Sequence, residues 1–118
     1  MKGEFVAKTN AAFMSGVPEL LVLRILGRKE MYGYELVKAI RLASNDRIAL
    51  AEGVVYPTLH SLEARGLLQS REKQVDGRTR VYYQTTAKGK KRLKFLQSDW
   101  QRVSDGIEAV MRSIVCPQ

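Results

Sequence analysis

The stretch Glu52-Gly53-Val54-Val55-Tyr56-Pro57-Thr58-Leu59-His60-Ser61-Leu62-Glu63-Ala64-Arg65-Gly66-Leu67-Leu68 decides the fold. At about 100° per residue, Val55, Leu59 and Leu62 fall on one stripe, the signature of a short helix with a single buried face. Gly66 ends the pattern where a helix terminus favours glycine. The opposite face carries Pro57, Ser61 and Ala64, flanked by His60 and Arg65, a small and polar surface that can approach another molecule closely. Pro57 has no amide hydrogen and its ring clashes with the carbonyl four residues back, so the regular helix is expected to start at Val54 or Tyr56 with Pro57 in its first turn.

Upstream, the segment Met1 to Ser15 carries Phe5, Val6, Ala12, Phe13 and Met14 and predicts a short, poorly capped helix. Gly16-Val17-Pro18-Glu19 opens a stronger one, because proline and an acid both suit a first turn, and Gly27 stops it. Its apolar residues (Leu20 to Leu23, Ile25, Leu26) run almost all the way round, which places it at the centre of the core. Tyr32-Gly33-Tyr34-Glu35 leads into another helix with Leu36, Val37, Ile40 and Ala43 on one side, and the two tyrosines read as core and support residues. Ser44-Asn45-Asp46 ends it. Ile48-Ala49-Leu50 alternates briefly and predicts a short strand.

Downstream, the segments Leu68 to Lys73 and Arg80 to Thr85 flank Asp76-Gly77, a strong signal for a two-residue hairpin turn. With that turn, Val75 faces Arg78, Lys73 faces Arg80 and Arg71 faces Tyr82, which makes a ribbon with a basic tip. Val81, Tyr82 and Tyr83 supply the branched and aromatic side chains that a strand favours. Thr86 then caps a helix expected from Ala87 to Val115. Leu93, Leu96, Trp100, Val103, Ile107, Val110 and Ile114 recur along it at alternating spacings of three and four, a heptad seam. Such a helix outreaches the core available to it, so its distal half is expected to pack against a second copy of the chain.

The whole chain has 118 residues, 45% of them apolar and 27% charged, which fits one small domain and excludes a catalytic domain joined to a regulatory one. No apolar run is long enough to span a membrane and no signal peptide is visible, so a soluble cytoplasmic protein with no membrane partner is expected. The lone Cys116 suits a reducing compartment. The net charge is +8, and the segment from Arg65 to Lys94 accounts for it with ten basic residues against Glu72 and Asp76. Basic residues concentrated beside a small-faced helix form an electrostatic footprint for a polyanion, whereas the same run by itself would be an ordinary solvated face. His60 is the chain's only histidine. A metal site or a histidine-based catalytic pair has no second member, so no cofactor, metal or enzymatic activity is expected.

Two helices, a recognition-type helix and a two-stranded ribbon follow the order of a winged helix-turn-helix, in which the third helix enters the major groove and the wing tracks the backbone. The fold class expected is therefore mainly α with a small β-hairpin wing, divided into a DNA-binding unit over 1–86 and a dimerisation helix over 87–118. The motifs Tyr32-Gly33-Tyr34-Glu35-Leu36, Gly53 to Leu67 with its Tyr-Pro and Leu-Glu-x-x-Gly-Leu spacing, and Arg80-Val81-Tyr82-Tyr83-Gln84-Thr85-Thr86-Ala87-Lys88-Gly89 resemble the PadR-type transcriptional regulators. The resemblance covers roughly Phe13 to Leu96. It implies a regulator of bacterial type, usually a repressor, that dimerises through terminal helices and responds to small phenolic or drug-like ligands. One departure is Ser15, where a basic residue is expected.

These readings converge on double-stranded DNA bearing a palindromic operator. Tyr56, Thr58, His60, Ser61 and Arg65 of the helix and Lys73, Arg78 and Arg80 of the wing are the candidate contacts, with Thr58, His60 and Ser61 nearest the base edges. Tyr56 could equally pack against the wing. Leu96, Trp100, Val103, Ile107, Val110 and Ile114 are the candidate homodimer interface, and Trp100 is also where a small aromatic effector could sit between subunits. The alternative is a basic module for RNA or an acidic protein partner, although RNA readers more often present aromatic platforms on a sheet.

Overall fold

The computed structural model describes residues 11–114. The helix expected over Met1 to Ser15 falls largely outside them, and its described part is a single 3₁₀ turn at Ala11–Met14. Helix α1 spans Val17–Leu26, with Gly16 in the left-handed region before it and Pro18 in its first turn. Strand β1, Met31–Tyr32, is followed directly by α2, Gly33–Ala43, then α3, Glu52–Ala64, the ribbon strands β2, Leu68–Val75, and β3, Arg78–Thr85, and α4, Ala87–Arg112. The three strands form one antiparallel sheet in the order β1-β3-β2. This is the winged helix-turn-helix expected from the sequence, with its long terminal helix.

Val22, Leu23 and Leu26 of α1, Leu36 and Ile40 of α2, and Val55, Leu59 and Leu62 of α3 interlock as the core. Full burial of each is worth about 1.5–3 kcal/mol. Leu50, Leu67, Leu68 and Tyr83 close the core from the loops and sheet. The Thr85 hydroxyl, buried under α1, donates to the Leu23 carbonyl at 3.1 Å and so ties the base of the wing to the central helix.

Four local expectations are corrected. Helix α3 begins at Glu52, a turn earlier than Pro57 suggested, and Pro57 lies inside it. The carbonyl that faces the proline ring belongs to Gly53, which is solvent-exposed and still in the first turn, where the clash is relieved at least cost. No strand forms at Ile48-Ala49-Leu50. Leu50 is buried, but the Ile48 amide donates to the Ser44 hydroxyl at 2.9 Å instead of to a neighbouring strand. The strand that does form, β1, pairs Met31 with Tyr83 and Tyr32 with Tyr82. Ala43 and Tyr34 are exposed, so neither belongs to the core.

Backbone hydrogen bonds close the end of α3 tightly. The Leu67 amide donates to the Leu62 carbonyl and the Gly66 amide to the Glu63 carbonyl, both at 2.9 Å, forming a Schellman motif. Gly66 has φ +77°, the left-handed backbone that this motif requires. The hairpin has the expected register, with Val75 opposite Arg78, Lys73 opposite Arg80 and Arg71 opposite Tyr82. Asp76 and Gly77 both take positive φ, as a twist-matched two-residue turn demands.

Helix α4 is bolted to the end of α3. The Thr86 hydroxyl accepts from the Gly89 amide at 3.0 Å, donates to the Gly66 carbonyl at 2.7 Å, and so caps one helix while satisfying the other. Lys88 donates to the Arg65 carbonyl at 3.1 Å. Gly89 presses on the Leu67 carbonyl. The helix stops at Arg112, shorter than expected, and Ile114 lies beyond it, after the extended Ser113, so that side chain is not part of the helical seam.

Candidate nucleic-acid interface

Helix α3 buries Val55, Leu59 and Leu62 and turns Pro57, His60, Ser61 and Ala64 to solvent, with Arg65, just past its end, exposed beside them. Its outward face is therefore the small, polar one that the sequence assigned to contact. The Thr58 hydroxyl donates to the Val54 carbonyl at 2.8 Å, which leaves its oxygen lone pairs to accept. A cleft of about 340 Å³ runs between this face and the start of α1, where Pro18 and Glu19 meet Thr58, Ser61 and Arg65.

A second cleft, about 330 Å³, separates α3 from the wing and brings Tyr56 and His60 to the same hollow as Tyr32 and Arg80. Tyr56 is half-buried, with its ring against Gly33, and so packs at the corner of β1 and α2 as well as lining the hollow. The Arg80 guanidinium lies 4.3 Å from the centre of the Tyr32 ring, a cation–π contact that orients its donors. Tyr32 in turn meets Tyr82 edge-on at 5.4 Å. Arg78 stands exposed beside the turn at the tip.

Two of the candidate cations are held by acids that sequence reasoning passed over. Glu19 accepts from Arg65 at 3.1 Å and from Arg92 at 2.9 Å, both on the same oxygen. Burial alone would push its carboxyl up, but the bonds from Arg92 and Arg65 outweigh this and hold it below the usual range. Glu30, in the turn before β1, accepts from Arg71 at 3.1 and 2.7 Å and from Lys73 at 2.8 Å. Bonds from Arg71 first, and Lys73 second, lower its carboxyl from 4.5 to about 2. The Lys73 ammonium also sits 4.2 Å from the centre of the Tyr82 ring. No local spacing could have revealed these pairs, because Glu19 is 46 and 73 residues from its partners and Glu30 is 41 and 43 from its own.

The seam on α4 divides in two. Leu93 and Leu96 pack partly against the chain's own core, so Leu96 is not left wholly to a partner. Trp100, Val103, Ile107 and Val110 are 53%, 44%, 54% and 68% exposed, large apolar side chains that the described residues cover only in part. Trp100, Val103 and Ile107 line an apolar groove of about 470 Å³ with Phe13, Val17 and Leu20. Among the described residues no cluster of His, Cys, Asp and Glu is arranged to hold a metal, and no helix is long and apolar enough to cross a membrane. Cys116 lies outside the described residues.

Residues 22–95 match the family model of the transcriptional regulator PadR-like family. A transcriptional regulator of Mycobacterium tuberculosis is 36% identical over 78 residues, covering 66% of this chain and 70% of that protein. The regulator YqjI of Escherichia coli is 39% identical over 62 residues, which are 52% of this chain and 30% of that longer protein. The crystal structure of a PadR family transcriptional regulator from Eggerthella lenta superposes with a TM-score of 0.76 at 30% identity, covering 87% of this chain and 88% of that one. With the wing, the polar face of α3 and these matches in agreement, the chain belongs to the PadR-like family of DNA-binding transcriptional regulators, a family of regulators and not of enzymes.

Proposed function

We propose that the protein is a sequence-specific repressor that binds a palindromic operator as a homodimer in the cytoplasm. In this reading residues 1–86 bind DNA and residues 87–118 join the subunits. The observation that carries it is the small polar face of α3, exposed beside a basic ribbon. Thr58, His60 and Ser61 face base edges in the major groove, and Tyr56, Arg65, Lys73, Arg78 and Arg80 border the phosphates. The exposed stripe of Trp100, Val103, Ile107 and Val110 supports pairing through α4, since one subunit leaves these side chains in water. The groove along Trp100 is the site at which a flat aromatic ligand relieves repression, by favouring a subunit arrangement whose two α3 helices no longer match the half-site spacing.

Selection of bound duplexes from a random pool tests the reading. A palindromic consensus is the expected result, and recovery of RNA, or of acidic proteins with no sequence preference, would select the alternative. Ser61→Glu places a carboxylate in the groove and is expected to abolish binding to the selected duplex while the domain stays folded, because position 61 is exposed. Retained affinity in a folded Ser61→Glu protein would remove α3 from the groove.

A further inference from the structure

The basic segment does not offer all of its charge to a ligand. Of its ten cations, Arg65 and Arg92 are held by Glu19, and Arg71 and Lys73 by Glu30, and both acids come from outside the segment. The acid side chains are only 20% and 21% exposed, while Arg65 and Arg71 are 45% and 65% exposed. The carboxylates are thus fixed beneath cations that reach the surface. Arg65 lines the cleft along α3, and Arg71 and Lys73 lie on the wing, so each acid holds a cation on the surface proposed to meet DNA.

We propose that Glu19 and Glu30 determine the specificity of DNA binding by competing with phosphates for Arg65, Arg71 and Lys73, so that random duplex is bound weakly. The proposal rests on the reading that α3 and the wing face DNA. Non-specific affinity comes from cations that neutralise phosphates and release condensed counterions, about 0.9 in log–log salt slope for each contact. A cation already neutralised by a carboxylate of the fold must lose that bond before it can do the same. A random duplex offers only phosphates and meets the full deficit. An operator also offers base edges to α3, which the clamps leave untouched.

As structural pins alone these pairs would affect stability and leave the salt dependence of DNA binding unchanged. As specificity devices they are visible in the salt dependence. The experiment is titration of a labelled random duplex and of the selected operator, across a salt series, with the full chain and its variants. Glu30→Gln is expected to steepen the random-duplex slope by about one to two units and tighten random binding roughly tenfold at low salt, lowering the operator-to-random ratio. Glu19→Gln is expected to act in the same direction through Arg65. Glu72→Gln removes the same charge from the ribbon itself, between Arg71 and Lys73, and among the described ion pairs Glu72 holds none, so it should move the slope by less than about half a unit. Glu30→Asp keeps the charge but shortens the reach. It should steepen the slope too, and serves if Glu30→Gln does not fold. Equal slopes for Glu30→Gln and Glu72→Gln would reduce the effect to net charge and overturn the proposal, as would weaker binding to both duplexes on loss of the clamp. Arg80→Ala is the separate check on the underlying reading. It should weaken both duplexes and flatten the slope by about one unit, and if it does neither, the wing itself is off the DNA.

Discussion

The ring of Tyr56 lies so close to the α-carbon of Gly33 that a β-carbon there would stand 2.5 Å from the ring and its hydroxyl. Gly33 is the first residue of α2, so this contact seats α3 on the corner where β1 becomes a helix. An alanine would gain up to about 1 kcal/mol in helix propensity but overpack the site by about 1–3 kcal/mol. Gly33→Ala is therefore predicted to destabilise the domain by about 1–2 kcal/mol in urea unfolding and to weaken operator binding by displacing α3. Unchanged stability would mean that the tyrosine ring simply swings aside.

Two glycines of α4 should respond in opposite directions. A β-carbon on Gly89 would come within 2.1 Å of the Leu67 carbonyl, backbone that cannot rotate away, whereas one on Gly106 meets nothing within 4 Å. Gly89→Ala is predicted to cost about 3 kcal/mol or more by prising α4 from the end of α3. Gly106→Ala should stabilise by about 0.5–1 kcal/mol through helix propensity alone. Thermal melts of the two variants, one below and one above the parent, check the contrast.

The Glu30 clamp makes a prediction for acid. Its carboxyl is held at about 2 in the fold against 4.5 otherwise, so the unfolded chain binds a proton more readily than the folded one. The contribution to stability is complete above 4.5 and is lost as pH falls from there toward 2. Carboxyl chemical shifts should show Glu30 titrating near 2, and Glu30→Gln should flatten the fall in stability across that window. A Glu30 midpoint near 4.5 would show that the bonds to Arg71 and Lys73 do not persist in solution.

Val103 and Ile107 stand on neighbouring turns of the exposed stripe. Val103→Asp combined with Ile107→Lys is predicted to give a monomer or an aggregate by sedimentation and to collapse operator affinity, because one subunit holds one half-site. A monomeric double variant with full operator affinity would end the dimer reading.

What could be read from the sequence was whatever repeats at short range. The hairpin register follows from Asp76-Gly77 and a period of two, and the buried stripe of α3 from Val55, Leu59 and Leu62 at a period of 3.6. The strand β1 was missed because two residues cannot alternate, and Met31–Tyr32 is a strand only by its partner, β3. Ile48-Ala49-Leu50 alternates yet finds no partner, so pattern without pairing misled in the other direction. The acids that hold Arg65 and Lys73 were illegible for a similar reason, since they lie one element or more away and only the packed fold brings them near.

Three residues, Arg65, Gly66 and Leu67, separate α3 from β2, and each is fastened by the turn itself or by Thr86 and Lys88. Helix and ribbon are consequently the two jaws of a caliper whose opening is set by the fold. A duplex that meets both jaws has to present its groove and its backbone at that one separation. Sequences that are stiff at another width are charged an elastic penalty at base pairs that no side chain reaches. If α3 and the ribbon meet DNA as proposed, this gauge, as much as any hydrogen bond, is part of what the protein reads.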